Sequence, residues 1–152
     1  MQDTQLEHIC QDIYTGPVTP RTKTFALDTL FRALADPTRL RLLNLIAQRE
    51  ICVCYFVGIL QDSQPKISRH LAYLRRSGLA LARRQGKWMH YRLALPRDPA
   101  AAAILAETLK QLRASPQLRR DLAKLDSACC RPEHFELPSQ APQPALVSIS
   151  RR

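Results

Sequence analysis

Apolar positions along this chain follow a helical rhythm through most of its middle and switch to a strand rhythm once. Leu27, Leu30, Phe31 and Leu34 fall on one face and predict a first helix from Thr24. Asp36-Pro37 marks a boundary, because Asp caps a helix start and Pro suits the first helical position. Leu40, Leu43 and Ile46 predict a second helix, with Arg39, Arg41 and Arg49 largely on its outer side. A short third helix is expected over about Cys52 to Leu60, followed by the polar turn Gln61-Asp62-Ser63. Ser63 then serves as an N-cap and Pro65 sits in the first turn of a fourth helix. Its buried stripe is Ile67, Leu71 and Leu74, while Lys66, Arg69, His70 and Tyr73 point the other way. Gly78 ends this helix, with apolar Leu79 after it. Leu79 to Arg84 and Trp88 to Leu95 read as two strands around the turn Gln85-Gly86-Lys87. After Pro96 the rhythm is helical again, over Ala100 to Leu112 with Ile104, Leu105, Leu109 and Leu112, and over Pro116 to Leu125.

The two ends lack this rhythm. Residues 1–21 carry Gly16-Pro17 and Pro20 as breakers and read as a flexible arm. Residues 22–126 form one folded domain, and residues 127–152, rich in Pro, Ser and Gln, read as a disordered tail. No apolar run approaches the ~18 residues of a membrane span. Met1 to Tyr14 has no apolar signal segment either. The expectation is a cytoplasmic protein with no membrane partner.

Charge changes the picture. Lys and Arg number 23 against 13 Asp and Glu, a formal charge of +10, which favours a polyanionic partner. A helix, a short turn and a basic helix form a helix-turn-helix unit, and the hairpin after it makes the unit winged. The fold class expected is therefore mainly α with a β-hairpin wing. The second helix of such a unit reads the major groove of double-stranded DNA with its N-terminal residues. Here the candidates are Ser63, Gln64, Lys66, Ser68, Arg69, His70 and Tyr73. Gln pairs with adenine and Arg with guanine, while Ser and Lys hold phosphates. Arg83, Arg84 and Lys87 cluster near the wing tip, within reach of the adjacent backbone or minor groove. The stripe Ile104, Leu105, Leu109 and Leu112 of Ala100–Leu112, with the first helix, predicts a dimer surface. No Ser/His/Asp set, phosphate loop or catalytic carboxylate pair is present, so no enzyme activity is expected.

The run from Phe31 to Leu43 (FRALADPTRLRLL), Ile51-Cys-Val-Cys54, Ser63 to Leu71, Arg83-Arg-Gln-Gly-Lys-Trp88 and Tyr91-Arg-Leu93 resemble the ArsR/SmtB family of metal-sensing repressors, most closely its arsenic-responsive branch. The resemblance covers roughly residues 24–125. It implies a homodimeric winged helix-turn-helix repressor that needs no cofactor to hold its operator and leaves it when As(III) or Sb(III) binds. The arsenical branch usually has a third cysteine three residues after the second, with an Asp-Leu between those two; this chain has Tyr55-Phe56-Val57 there instead, so the third ligand of the usual site is missing.

The five cysteines are an odd set. In a reducing compartment clustered thiols point to metal binding or redox sensing rather than to a disulfide scaffold. Cys52 and Cys54 supply two soft ligands for a thiophilic ion. Residues i and i+2 on an ideal helix diverge by about 200°, so both thiols meet one ion only if the first helical turn distorts. A third ligand is available from Cys10, Cys129 or Cys130, and residue spacing does not choose among them. The alternatives are a Cd(II)/Pb(II)/Zn(II) sensor of the same fold using Cys10, Cys52 and Cys54, and a thiol redox sensor. The carboxylate and His site of the family's zinc branch has no counterpart, since no His lies between Asp98 and Leu125.

Overall fold

A computed structural model describes residues 27–135 and 137–146. Its elements run α1 (Leu27–Leu34), α2 (Pro37–Ile46), β1 (Arg49–Cys52), α3 (Val53–Leu60), α4 (Gln64–Arg76), β2 (Ala80–Gln85), β3 (Trp88–Leu93), α5 (Pro99–Leu112) and α6 (Pro116–Cys130). A 3-10 turn (Pro132–His134) and a short β4 (Ala145–Leu146) follow. The fold is a winged helix-turn-helix: α3 and α4 are the helical pair, and the β2–β3 hairpin is the wing. Among the described residues no helix is long and apolar enough to cross a membrane.

Local chemistry places these elements. Asp36 caps α2, accepting the Arg39 N–H at 2.9 Å, with Pro37 at the first helical position. Ser63 occupies the N-cap position of α4, but its hydroxyl makes no capping bond; instead its N–H bonds the Asp62 carboxylate at 2.9 Å. The end of α4 is a Schellman motif, with Leu79 N–H on the Leu74 carbonyl at 2.9 Å and Gly78 N–H on Arg75 at 3.1 Å. Gly78 has φ 73°, which a residue without Cβ adopts at no steric cost.

Ile67, Leu71 and Leu74 are all fully buried, as the α4 stripe requires. They meet Leu42, Leu43, Ile46, Phe56 and Ile59 in one core. Leu30 joins it, whereas Leu27 and Phe31 stay exposed, so the predicted apolar face of α1 is only partly covered. In α5, Leu105 and Leu109 are buried in the chain's own core, leaving half-buried Ile104 and Leu112 for any partner.

Three expectations are corrected. First, Arg49 and Cys52 are not helical: Arg49–Cys52 is a strand, paired antiparallel with β3 through Ile51↔Tyr91 and Cys52↔His90. Second, Arg41 does not simply face outward. Its guanidinium grips Asp121, which is fully buried, with two bonds of 2.7 and 2.8 Å. Third, the described part of 127–152 is not irregular throughout. α6 continues to Cys130, and β4 returns to pair with β1 at Arg49↔Leu146 and Glu50↔Ala145, giving the sheet order β2-β3-β1-β4. Phe135 and Leu137, along that return, are partly buried against the core.

Candidate thiol centre and nucleic-acid interface

The strand-to-helix junction at Cys52 creates the thiol centre. Cys52 ends β1 in extended conformation and stands at the N-cap position of α3, while Cys54 is the second residue of that helix. The chain turns between them, and the two Sγ atoms lie 3.0 Å apart. The helical distortion expected from the spacing is therefore not needed, because only one of the two residues is helical. Cys52 is fully buried and Cys54 half-buried.

The junction also sets acidity. The Cys54 thiol donates to Cys52, and the backbone N–H groups of Cys54, Val53 and Met89 add to this against burial. The Cys52 pKa is lowered to about 7, as expected for a thiolate at a helix N-terminus. Cys54 is pushed up, first by giving its proton to the bond with Cys52 and then by burial.

Among the described residues, no three His, Cys, Asp or Glu side chains come together as a metal-holding group. Cys129 is half-buried near the end of α6, its Sγ 3.9 Å from Arg49 Nη1, and burial raises its pKa. Cys130 is exposed, and Cys10 lies outside the described residues. Sequence reasoning missed His90, directly opposite Cys52, because it had placed no strand at 49–52. His90 is buried with Nε2 unpartnered. Burial, then the charge of Arg83, lowers its pKa, against an opposing effect of Glu50.

The predicted DNA-reading residues divide into two groups. Ser63, Gln64, Lys66 and Arg69 are exposed at the N-terminal end of α4, with Ser68 half-buried among them. Lys66 Nζ is 2.6 Å from Asp62, and Arg69 Nε bonds the Pro65 carbonyl at 3.3 Å. His70 and Tyr73 instead face α2. His70 Nδ1 is 3.5 Å from Asp36 Oδ1, and the Arg39 guanidinium lies 4.4 Å above the Tyr73 ring. Arg39 also bonds the carbonyls of Ala33 and Arg32 at 2.8 and 2.6 Å. This joint fixes α4 against the end of α1 and the start of α2.

The wing pairs from Ala80↔Leu93 to Gln85↔Trp88. Gly86, at φ 59°, makes the turn possible. Lys87 Nζ is 4.9 Å from the Trp88 ring centre, and Arg84 Nε bonds Gly86 O at 3.0 Å. Arg83 is turned away from the tip: its Nε donates to Glu50 at 3.0 Å.

Comparison with known proteins agrees with this geometry. The family of bacterial regulatory proteins of the arsR type matches residues 36–80, which is α2 through the start of the wing. An arsenical resistance operon repressor of Escherichia coli K12 is 59% identical over 79 residues, 51% of this chain and 67% of that protein. An arsenic resistance transcriptional regulator, ArsR2, of Pseudomonas putida is 43% identical over 113 residues, 66% of this chain and 95% of that protein. Among solved structures, HlyU of Vibrio cholerae is 30% identical with a TM-score of 0.50, over 59% of this chain and 92% of that one. With nearly the whole of one such regulator spanned, and the helix-turn-helix inside the family's own segment, this chain belongs to the arsR family of bacterial regulatory proteins.

Proposed function

We propose that this protein is a dimeric transcriptional repressor that holds double-stranded operator DNA and releases it when As(III) or Sb(III) binds Cys52 and Cys54. The observation that carries this reading is the 3.0 Å thiol pair at the start of α3, the helix joined by one turn to α4. Soft thiolates select thiophilic ions. The names of the relatives in Escherichia coli and Pseudomonas putida support a metalloid as the inducer. Trivalent arsenic takes three sulfurs, so Cys10, Cys129 or Cys130 would have to approach the pair, from the same chain or from a partner. Exposed Leu27 and Phe31, with half-buried Ile104 and Leu112, support the dimer.

The test is release of fluorescent operator DNA during titration with As(III), Sb(III), Cd(II) or peroxide. Release at low As(III) supports the proposal. Release by Cd(II) alone supports the divalent-cation sensor. Release by peroxide alone supports the redox sensor, which the close approach of the two sulfurs also permits.

pH separates As(III) from Cd(II) further. Arsenous acid condenses with two thiols to give two As–S bonds and two waters, with no net change in protons where both are protonated and uptake of one proton where Cys52 is a thiolate. Cd(II) must displace the proton of Cys54, and that of Cys52 below its pKa of about 7. Raising the pH from about 6 to about 8 should therefore strengthen Cd(II) binding more than tenfold and weaken As(III) binding by up to about tenfold, as Cys52 loses its proton near pH 7. Isothermal titration calorimetry in two buffers of different ionisation enthalpy reads the protons released.

On the DNA side, Arg69→Ala or Gln64→Ala should each weaken operator binding by about 1–3 kcal/mol and relax base choice. Lys87→Ala should weaken binding more evenly across sequences and flatten its salt dependence. Unchanged operator affinity in Arg69→Ala would move the reading surface away from the start of α4.

A further inference from the structure

Glu50, on β1, sets a carboxylate against the basic wing. Its side chain is 11% exposed. It accepts Arg83 Nε at 3.0 Å and Arg83 Nη2 as well, with Arg92 Nε 4.0 Å away. The third guanidinium nitrogen of Arg83, Nη1, donates to Gln85 Oε1 at 3.1 Å. Each nitrogen of that guanidinium thus has a partner on the protein, although the side chain is 52% exposed.

The pair reaches across a strand. Arg83 lies on β2, which pairs with β3, and β3 pairs with β1, where Glu50 sits. The bond fastens the outer wing strand to the strand that carries the thiol. Along β1, Glu50 and Cys52 are two residues apart and share one face. Across the sheet, Cys52, His90 and Arg83 stand opposite one another in register, so Arg83 belongs to the same transverse row as the thiol.

We propose that Glu50 is a positioning residue that couples the thiol strand to the wing, with Arg83 as its brace rather than a phosphate contact. If Arg83 moved to a DNA phosphate, Glu50 would remain as a largely buried carboxylate with Arg92 alone nearby. Stranding a buried charge costs more than an exposed cation contact returns. A shift of β1 caused by an ion on Cys52 and Cys54 is then carried through Glu50 to the angle of the wing. The coupling half of this inference rests on the thiol-sensing reading; the brace half does not.

The experiment compares wild type, Arg83→Gln, Glu50→Gln and Glu50→Asp by fluorescence polarisation on operator DNA over a salt series, with and without As(III). Circular dichroism checks that each is folded, and Arg83→Gln, at a half-exposed position, keeps the test open if Glu50→Gln is not. A brace predicts that Arg83→Gln and Glu50→Gln lose affinity alike, by about tenfold, with the slope of log affinity against log salt unchanged. As(III) should still bind Glu50→Gln in the absence of DNA, but the affinity ratio between As(III)-bound and As(III)-free protein should shrink toward one. Glu50→Asp should recover part of that ratio.

A slope about one unit shallower in Arg83→Gln would make Arg83 a phosphate contact and overturn the brace. A wild-type ratio in Glu50→Gln would overturn the coupling. Wild type that ignores As(III) altogether would remove the sensing reading and the coupling with it, while the salt slopes would still decide the brace.

Discussion

Cys52→Ser and Cys54→Ser are each expected to keep operator binding and lose release by As(III). A hydroxyl nearly preserves the volume of a thiol but is a hard ligand, so the two-sulfur chelate is reduced to one. Linkage fixes how large the loss must be. An ion that weakens DNA binding a hundredfold binds the DNA complex a hundredfold less well, a coupling of about 2.7 kcal/mol. With one of the two Sγ atoms 3.0 Å apart removed, that coupling should vanish, giving a repressor that no longer responds rather than one that no longer binds. Fluorescence-polarisation release, variant by variant, is the measurement. Cys10→Ser and a Cys129→Ser/Cys130→Ser double variant, run beside them, identify the third sulfur. Wild-type release by both Cys52→Ser and Cys54→Ser would place sensing elsewhere, with Cys129 and Cys130 the next candidates.

The second large effect is on stability. Asp121 is fully buried on α6 and accepts both bonds from Arg41 on α2, with Gln117 Nε2 at 3.3 Å. The ion pair raises the Arg41 pKa through that hydrogen bond, against partial burial. Asp121→Ala leaves a largely buried guanidinium without its partner, which costs about 3–5 kcal/mol when fully enclosed. Arg41 keeps 24% side-chain exposure, so the lower end is expected. Against a domain stability of about 5–15 kcal/mol that is enough to unfold a substantial fraction of the protein on mild heating. Urea denaturation reads it directly. An Arg41→Met/Asp121→Leu double variant should recover much of the loss, because apolar side chains of similar volume replace a buried pair at little cost. A loss below about 1 kcal/mol in Asp121→Ala would mean the pair is better hydrated than its burial indicates.

The helix-turn-helix was legible because its information is local. Asp36-Pro37, the Ile67/Leu71/Leu74 stripe, Gly78 with Leu79, and Gly86 in the hairpin each encode a cap, a buried face or a turn within a few residues, and each does that work in the folded chain. The basic, exposed start of α4 was legible for the same reason. β1 was not. Arg49–Cys52 is four residues long, too short for a periodic signal, and becomes a strand only because β3 and β4 offer hydrogen bonds on both sides. Missing it cost more than one element. It put both cysteines on a helix, which made them diverge, and hid that Cys52 faces His90. It also left Glu50 and Arg83, 33 residues apart in the chain, with nothing to bring them together. Likewise Arg41 reads as an outward charge, and nothing local joins it to Asp121 until α6 packs on α2. The sequence by itself determined what kind of protein this is, because caps, stripes and turns are short-range. Only the tertiary structure decided which charges are paired inside the protein and how close the two thiols stand, because both depend on strand pairing or helix packing between segments far apart in the chain.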